Sequence, residues 1–315
     1  MCGVAGILLL STNCRFTISG GYSFDYQGVE TERTESGEIP GNVTAVFVEN
    51  RFGDVKIERT NEKPSWSWSG ACWATAAEDS ELFLQELKIS VTTTGSKQYW
   101  KVELPERDSK LRGVRSDLTL LVPASVVVST ENRHGDTAVQ KISGKVKIRN
   151  EHGNITTNEL LGEVQIDSEH GNVVANALAS KTKITNEHGN ISVTGAHGHL
   201  TLRGEHGDVN VENAGAVINV DVEHGDIVAS GLQDDIKFDN EHGSVRLNYV
   251  SNQFKSIAGS AEHSNVKIYL PETCKPKISV SVEHGRINSD VKNHDQSDQK
   301  IKVSAEHTNV KIAYE

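Results

Sequence analysis

The residues with the most chemical capacity in this chain are histidines, and they recur on a fixed spacing. His134, His152, His170, His188, His206, His224 and His242 lie 18 residues apart, and the last six are preceded by Glu151, Glu169, Glu187, Glu205, Glu223 and Glu241. Imidazole beside carboxylate is a ligand pair for divalent transition metals and a pair whose charge responds to mild acid. These thirteen residues are therefore the candidate metal or proton site. Three further copies, His263, His284 and His307, follow at looser spacing, so ten of the thirteen histidines occupy one repeated position.

A repeat of this period implies a unit that cannot bury its own apolar face and must stack on copies of itself. Positions three and five after each histidine are mostly apolar, as in Ile155, Val173, Ile191, Val193, Val209, Val211 and Ile227. Positions twelve and fourteen supply Val146/Ile148, Val164/Ile166, Leu200/Leu202, Ile218/Val220 and Ile236/Phe238. Alternation of period two in β-branched residues predicts strands with one buried face. Each coil should hold two strands, broken at His-Gly-Asn/Asp and again near Gly144, Gly162 and Gly198. Glycine accepts positive φ and Asn or Asp bonds its own backbone, as a tight corner requires. The fold class is thus all-β, a parallel β-solenoid with two strands per 18-residue coil.

Stacked coils place identical residues about 4.8 Å apart in ladders. Two residues before the histidine stand Asn150, Ser168, Asn186, Gly204, Val222 and Asn240, whose inward phase predicts buried amides bonding along the stacking axis. The histidine is placed at the inward edge of its strand, where a neutral ring stacks. Metal binding is harder, because two nitrogens on one ion lie at most about 4.2 Å apart, closer than the rungs. Glu and His would also point to opposite faces unless a corner splays them together.

A net charge of −11 over 315 residues argues against nucleic acid, whose binding depends on Lys and Arg displacing counterions. The 36% hydrophobic and 5% aromatic content suits a thin aliphatic core, and no stretch after the N-terminus has the run of apolar residues needed to span a bilayer. Residues 1–14, with an apolar run from Gly3 to Leu10, read as a signal peptide or lipoprotein leader, with Cys14 as the lipidation candidate. Residues 15–41 read as a flexible tether. Cys72 and Cys274 remain as two isolated buried thiols, with a disulfide as the alternative.

Residues 42–125 read as an N-terminal β-rich capping region, and 126–315 as the solenoid. Asn50-Arg51-Phe52-Gly53-Asp54-Val55 already carries the repeat motif with phenylalanine in the histidine position. A short helix is expected over 78–87 with Leu82, Phe83 and Leu87 on one face, then strands at 88–94 and 99–104. Trp66 and Trp68 share a phase that caps a core, with sugar stacking as the alternative. The closing strand, Asn309 to Tyr314, is expected at the free edge, with Lys311 discouraging further stacking.

The motif at 50–55, Trp66-Ser67-Trp68 followed by Cys72-Trp73-Ala74 before an acidic helix, Ser116-Asp117-Leu118-Thr119-Leu120 running to Val122-Pro123, and Asn132-Arg133-His134-Gly135-Asp136 together resemble the bacterial DUF4097 family over residues 42–315. The resemblance implies a β-solenoid-like repeat domain on exported, adhesin-like envelope proteins without an established enzymatic activity. The family commonly holds Ser or Tyr where this chain has histidine, and Ser264 and Thr308 replace the corner glycine in late coils, which should be built differently.

Enzymatic chemistry needs unlike acids and bases gathered in one place, and here the polar groups repeat monotonously. The out-of-phase pair His197 and His199 reads as surface histidines at a corner. The expected function is a non-enzymatic, exported structural or adhesin-like module at the bacterial cell envelope, periplasmic or surface. It would be monomeric, without catalytic residues or a cofactor, and would meet an envelope polymer or protein. The alternative is a metal-binding or pH-responsive surface built on the Glu-His ladder, with a divalent metal as its ligand.

Overall fold

The computed structural model describes residues 8–10 and 28–315. It is nearly all β, with one helix, and divides into two compact units, Met1–Ile142 and Ser143–Glu315. The expected lipidation residue, Cys14, lies outside the described residues.

In the first unit one sheet runs Leu8–Leu10, Val29–Glu38, Ser65–Ala74, Leu111–Val122, Val55–Arg59 and Thr137–Gln140, antiparallel through its first four strands and parallel thereafter. The other runs Lys88–Thr94, Lys97–Glu103, Ala45–Phe52 and Val127–His134. The solenoid pairing therefore begins at Ala45, and its first coil is seated between two strand pairs that follow it in sequence. A tether was expected over 15–41, but Val29–Glu38 is a ten-residue strand in full register with Ser65–Ala74. Its polar sequence fits a strand because hydroxyls and charges line its outward face, while Thr31 is buried opposite Cys72.

The helix spans Ala77–Glu86 and buries Ser80 and Leu84, with Leu87 following at its end. Leu82, expected on the inner face, is 58% exposed, because the buried stripe runs through Ser80, Leu84 and Leu87. Ser80 donates to the Cys72 carbonyl at 2.7 Å, so the Thr31 hydroxyl donates to Ser80 at 2.7 Å. A polar relay thus docks the helix on the sheet without an unpaired hydroxyl.

The second unit is a stack of two-strand coils. Val146, Val164, Thr182, Leu200, Ile218 and Ile236 are register partners on one sheet, and Ile155, Val173, Ile191, Val209, Ile227 and Val245 on the other. Each is almost completely buried, and each such aliphatic side chain contributes about 1.5–3 kcal/mol. Volumes are matched along the stack. Gly259 is the partner of Phe238, and a Cβ at 259 would overlap the phenylalanine ring.

The second corner of each coil places Glu159, Ala177, Gly195, Asn213 and Gly231 at positive φ, seven residues after the histidine. Gly162 and Gly198 follow it and pack against the preceding coil, where a Cβ would overlap backbone.

Sequence order breaks at the C-terminal end. Ser256–Glu262 and Ser264–Leu270 pair with Lys300–Glu306 and Asn309–Tyr314, which in turn pair with Lys277–Glu283 and Ile287–Ser289. The last coil in sequence is therefore the last but one in space, and Asn309–Tyr314 is not the edge. The edge coil is 277–289, where Ile287 is 51% exposed. An open strand edge invites pairing with other chains. Here the connection after Ser289 blunts it: Asn293 Oδ1 accepts the Ile278 N–H at 2.7 Å, and the His294 N–H reaches the Pro276 carbonyl at 3.0 Å.

Candidate functional site

The repeated corner joins the two strands of each coil. Its glycine adopts positive φ, +126° at Gly171 and +142° at Gly207, and a Cβ at Gly171 would overlap the Gly153 carbonyl of the neighbouring coil. Both the dihedral and the approach exclude other residues. At the late corners the histidine itself takes the left-handed conformation, with φ +56° at His284, where Gly285 is kept, and +49° at His263 and His307, which are followed by Ser264 and Thr308. Their hydroxyls then do the corner bonding: Ser264 Oγ donates to Asn240 Oδ1 at 2.5 Å, and Thr308 Oγ1 to the Glu306 carbonyl at 2.7 Å.

Two sets of side chains knit successive corners. The buried asparagines two residues before the histidine bond along the stacking axis, as their inward phase predicts, and they do so through backbone carbonyls: Asn186 and Asn240 donate to the Gly171 and Gly225 carbonyls of the preceding coil, each at 2.9 Å. The continuous axial ladder is made by the residue after the glycine. Asn154 Oδ1 accepts the Asn172 N–H, Asn172 the Asn190 N–H, Asn190 the Asp208 N–H, Asp208 the Asp226 N–H and Asp226 the Ser244 N–H, at 2.7–3.0 Å. The first unit repeats the device, with Asp117 accepting from Asp54 and Asp54 from Asp136. Sequence reading treated this residue as a local turn former. Its 18-residue recurrence as Asn or Asp was the signal that it also reaches the next coil.

The histidines of the second unit form a column of rings. Centroids from His152 through His170, His188, His206, His224, His242, His263 and His307 to His284 are separated by 4.7–5.2 Å. In the first unit Phe52 and His134 stack at 5.1 Å with planes 5° apart, so a phenyl ring serves in the same place. The pairs His188–His206, His224–His242, His242–His263 and His263–His307 are stacked, the others are tilted or edge-on, and most of the rings face outward rather than lying at an inward edge. His152 and His170 are half-buried, and His188, His206, His224 and His242 are exposed. The corner turns both Glu and His outward, and at its C-terminal end brings His284 and His307 within 3.9 Å of Glu283 and Glu306.

In the four stacked pairs equivalent nitrogens are too far apart to share an ion, since ligand nitrogens on one metal lie within about 4.2 Å, and that limit does not apply to the tilted pairs. Among the described residues no three His, Cys, Asp or Glu side chains converge on a point where a metal could sit. The glutamate column is partly neutralised from the adjacent outward column, Arg149 to Glu169 at 3.4 Å and Arg203 to Glu223 at 3.6 Å. His197 and His199 are exposed, and His199 Nε2 meets Asn219 Nδ2 at 3.0 Å.

Trp68, Trp73 and Trp100 are core residues, and Trp66 is half-buried at the surface. Trp68 is 1% exposed and donates to Ser116 Oγ at 2.7 Å, while Trp66 packs edge-on against buried Trp100. A surface groove of about 370 Å³ in this unit is lined by Trp66 and Leu121 together with the hydroxyls of Ser36, Ser65, Ser67 and Thr119. In the second unit a groove of about 310 Å³ is lined by carboxylates of Asp239, Glu241, Glu262, Glu283 and Glu306 with intervening serines.

Burial raises the Asp117 carboxyl above its ordinary range, against the opposing pull of the Asp54 N–H and Arg115. The hydrogen bond from Lys56 holds Glu58 low. Cys72 and Cys274 are free and buried, and desolvation pushes the Cys72 thiol up to about 12. An inert thiol is the consequence. No helix among the described residues is long and apolar enough to cross a membrane.

The family model described as Toastrack DUF4097 matches residues 28–313. A search of curated proteins finds no match. Among solved structures, the chain is similar to a candidate cell adhesion protein from Clostridium sporogenes, at 12% identity and TM-score 0.24, covering 90% of this chain and 100% of that one. A candidate adhesin from Bacteroides fragilis matches at 11% identity and TM-score 0.36, covering 90% and 97%. One from Parabacteroides distasonis matches at 8% identity and TM-score 0.31, covering 91% and 98%.

Proposed function

The chain belongs to the Toastrack DUF4097 family, and from that premise we propose that it is a non-enzymatic, adhesin-like module of the cell envelope whose repeated faces bind an extended polymer or protein. The observation that carries this reading is the in-register repetition of outward side chains. Thr156, Val174, Ser192, Asn210 and Val228 occupy one column on consecutive strands. A ligand with its own linear repeat can match such a column at many points, whereas catalysis needs unlike groups gathered at one.

Export, with Cys14 as a lipid anchor, residues 15–27 as the link and 28–125 as a cap for the repeat, belongs to the same proposal. The test is retention of isolated envelope fractions on the immobilised full chain. Saturable binding of a polymer or protein fraction is expected, and failure of every fraction to bind would overturn the reading. The competing reading is a metal-binding or pH-responsive surface, favoured by the outward histidines and by the approach of Glu306 to His307. Calorimetric titration with zinc separates the two, because uptake of several ions per chain would favour the competitor.

A further inference from the structure

One outward column in the second unit changes character. Through Thr156, Val174, Ser192, Asn210 and Val228 it is neutral, and the next three register partners are Arg246, Lys267 and Lys311. The inserted last coil is what brings Lys311 beside Lys267. In simple sequence order the neighbour of Lys267 would have been Asn288. Arg246 and Lys267 are exposed and Lys311 is half-buried.

Three like charges on adjacent strands, about 4.8 Å apart, repel one another. The ion pairs of this unit lie elsewhere, at Lys145, Arg149, Arg203 and the late histidines, and among the described residues no carboxylate pairs with these three. The one partner nearby is aromatic: the Arg246 guanidinium lies 4.9 Å over the Tyr269 ring. On the other side of the column stand Asn265 and Asn309, whose amides meet at 3.4 Å. Of the acids on the flanking coils, Asp226 accepts the Ser244 N–H, and the exposed Asp290, two residues beyond Lys311's partner Asn288, forms no ion pair with the column among the described residues. A chain of net charge −11 thus carries one uncompensated cationic column on a flat polar face.

We propose that this column binds a linear carboxylated polysaccharide lying along the stacking axis. Carboxylates recurring along the polymer would meet the cations in turn, sugar hydroxyls would pair with the Asn265 and Asn309 amides, and a sugar ring face would rest near Tyr269. The amides favour a hydroxyl-rich polymer over single-stranded DNA, whose phosphodiester backbone offers them no hydroxyl. This inference names the partner class within the adhesin-like reading and rests on it.

The test is binding of polygalacturonate, neutral dextran and single-stranded DNA to the full chain, at low and physiological salt. Wild type should retain polygalacturonate in preference to both others, and salt should weaken it. The triple variant Arg246→Gln, Lys267→Gln, Lys311→Gln should bind at least roughly tenfold more weakly. Lys267→Arg with Lys311→Arg should bind as wild type, and so should Lys147→Gln with Lys183→Gln on the other sheet. Undiminished binding by the triple variant, or stronger binding of DNA, would overturn the proposal. Binding of dextran without polygalacturonate would overturn it too, while leaving the adhesin-like reading intact. Absence of binding to all three, with envelope fractions still retained, would have the same meaning.

Discussion

Asn172 Oδ1 accepts the backbone N–H of Asn190, eighteen residues on, at 2.9 Å. The same side chain that shapes one corner therefore satisfies a donor of the next, so a residue chosen for its turn chemistry also sets the register between coils. Asn172→Ala removes that acceptor and should lower stability by about 0.5–1.5 kcal/mol, while Asn172→Asp keeps it and should restore most of the loss. Urea denaturation at neutral pH checks this. An alanine variant as stable as wild type would reduce the ladder to a geometric coincidence.

Phe238 and Gly259 are partners in register, and the ring fills the space a Cβ at 259 would need. Gly259→Ala should cost about 1–3 kcal/mol by overpacking. Adding Phe238→Leu should recover part of it, giving a non-additive double-mutant cycle in thermal melts.

Asp117 tests a half-buried acid in the same kind of ladder. Its carboxyl is raised by burial, so its folded value lies above its unfolded value. The stability linked to it is present in full below the unfolded value and is lost as pH rises through the raised folded one. Asp117→Asn keeps an oxygen for the Asp54 N–H and stays neutral. The variant should melt higher than wild type at pH 7, with the gap closing as pH falls toward 4 or below, roughly the range of an ordinary aspartate. A lower melting midpoint at pH 7 would show that the Arg115 pair outweighs desolvation.

The histidine column is a stack before it is a ligand set. His188→Phe with His206→Phe replaces rings 5.0 Å apart by rings of the kind that Phe52 supplies beside His134. Chemical denaturation should place the double variant within about 1 kcal/mol of wild type. Zinc calorimetry should be the same for both. A zinc signal present in wild type and lost in the variant would return metal binding to these rings.

Much of this was legible in residue spacing. The two-strand coil, its buried columns and its glycine corner follow from Ile155, Val173 and Ile191 recurring with Gly153, Gly171 and Gly189. The stacked rings were legible too, but their outward direction was not. Strand alternation puts His188 on the inward side, and the corner turns it out. The strand at Val29–Glu38 was hidden for a related reason. Its Glu, Thr and Ser residues look like a linker, and only the partner strand at Ser65–Ala74 supplies the hydrogen bonds that make them a strand.

The sequence by itself determined the repeat, because side-chain period and turn chemistry are local and act wherever the motif recurs. What only the tertiary structure decided is which coil lies beside which. Lys300–Glu306 and Asn309–Tyr314 insert inside Lys277–Ser289, and Ala45–Arg59 sits between strands that follow it in the chain. Parallel pairing depends on matching faces and not on chain order, and the connection at 290–299 is long enough to carry the last coil back. Lys311 joins the column of Arg246 and Lys267 for that reason.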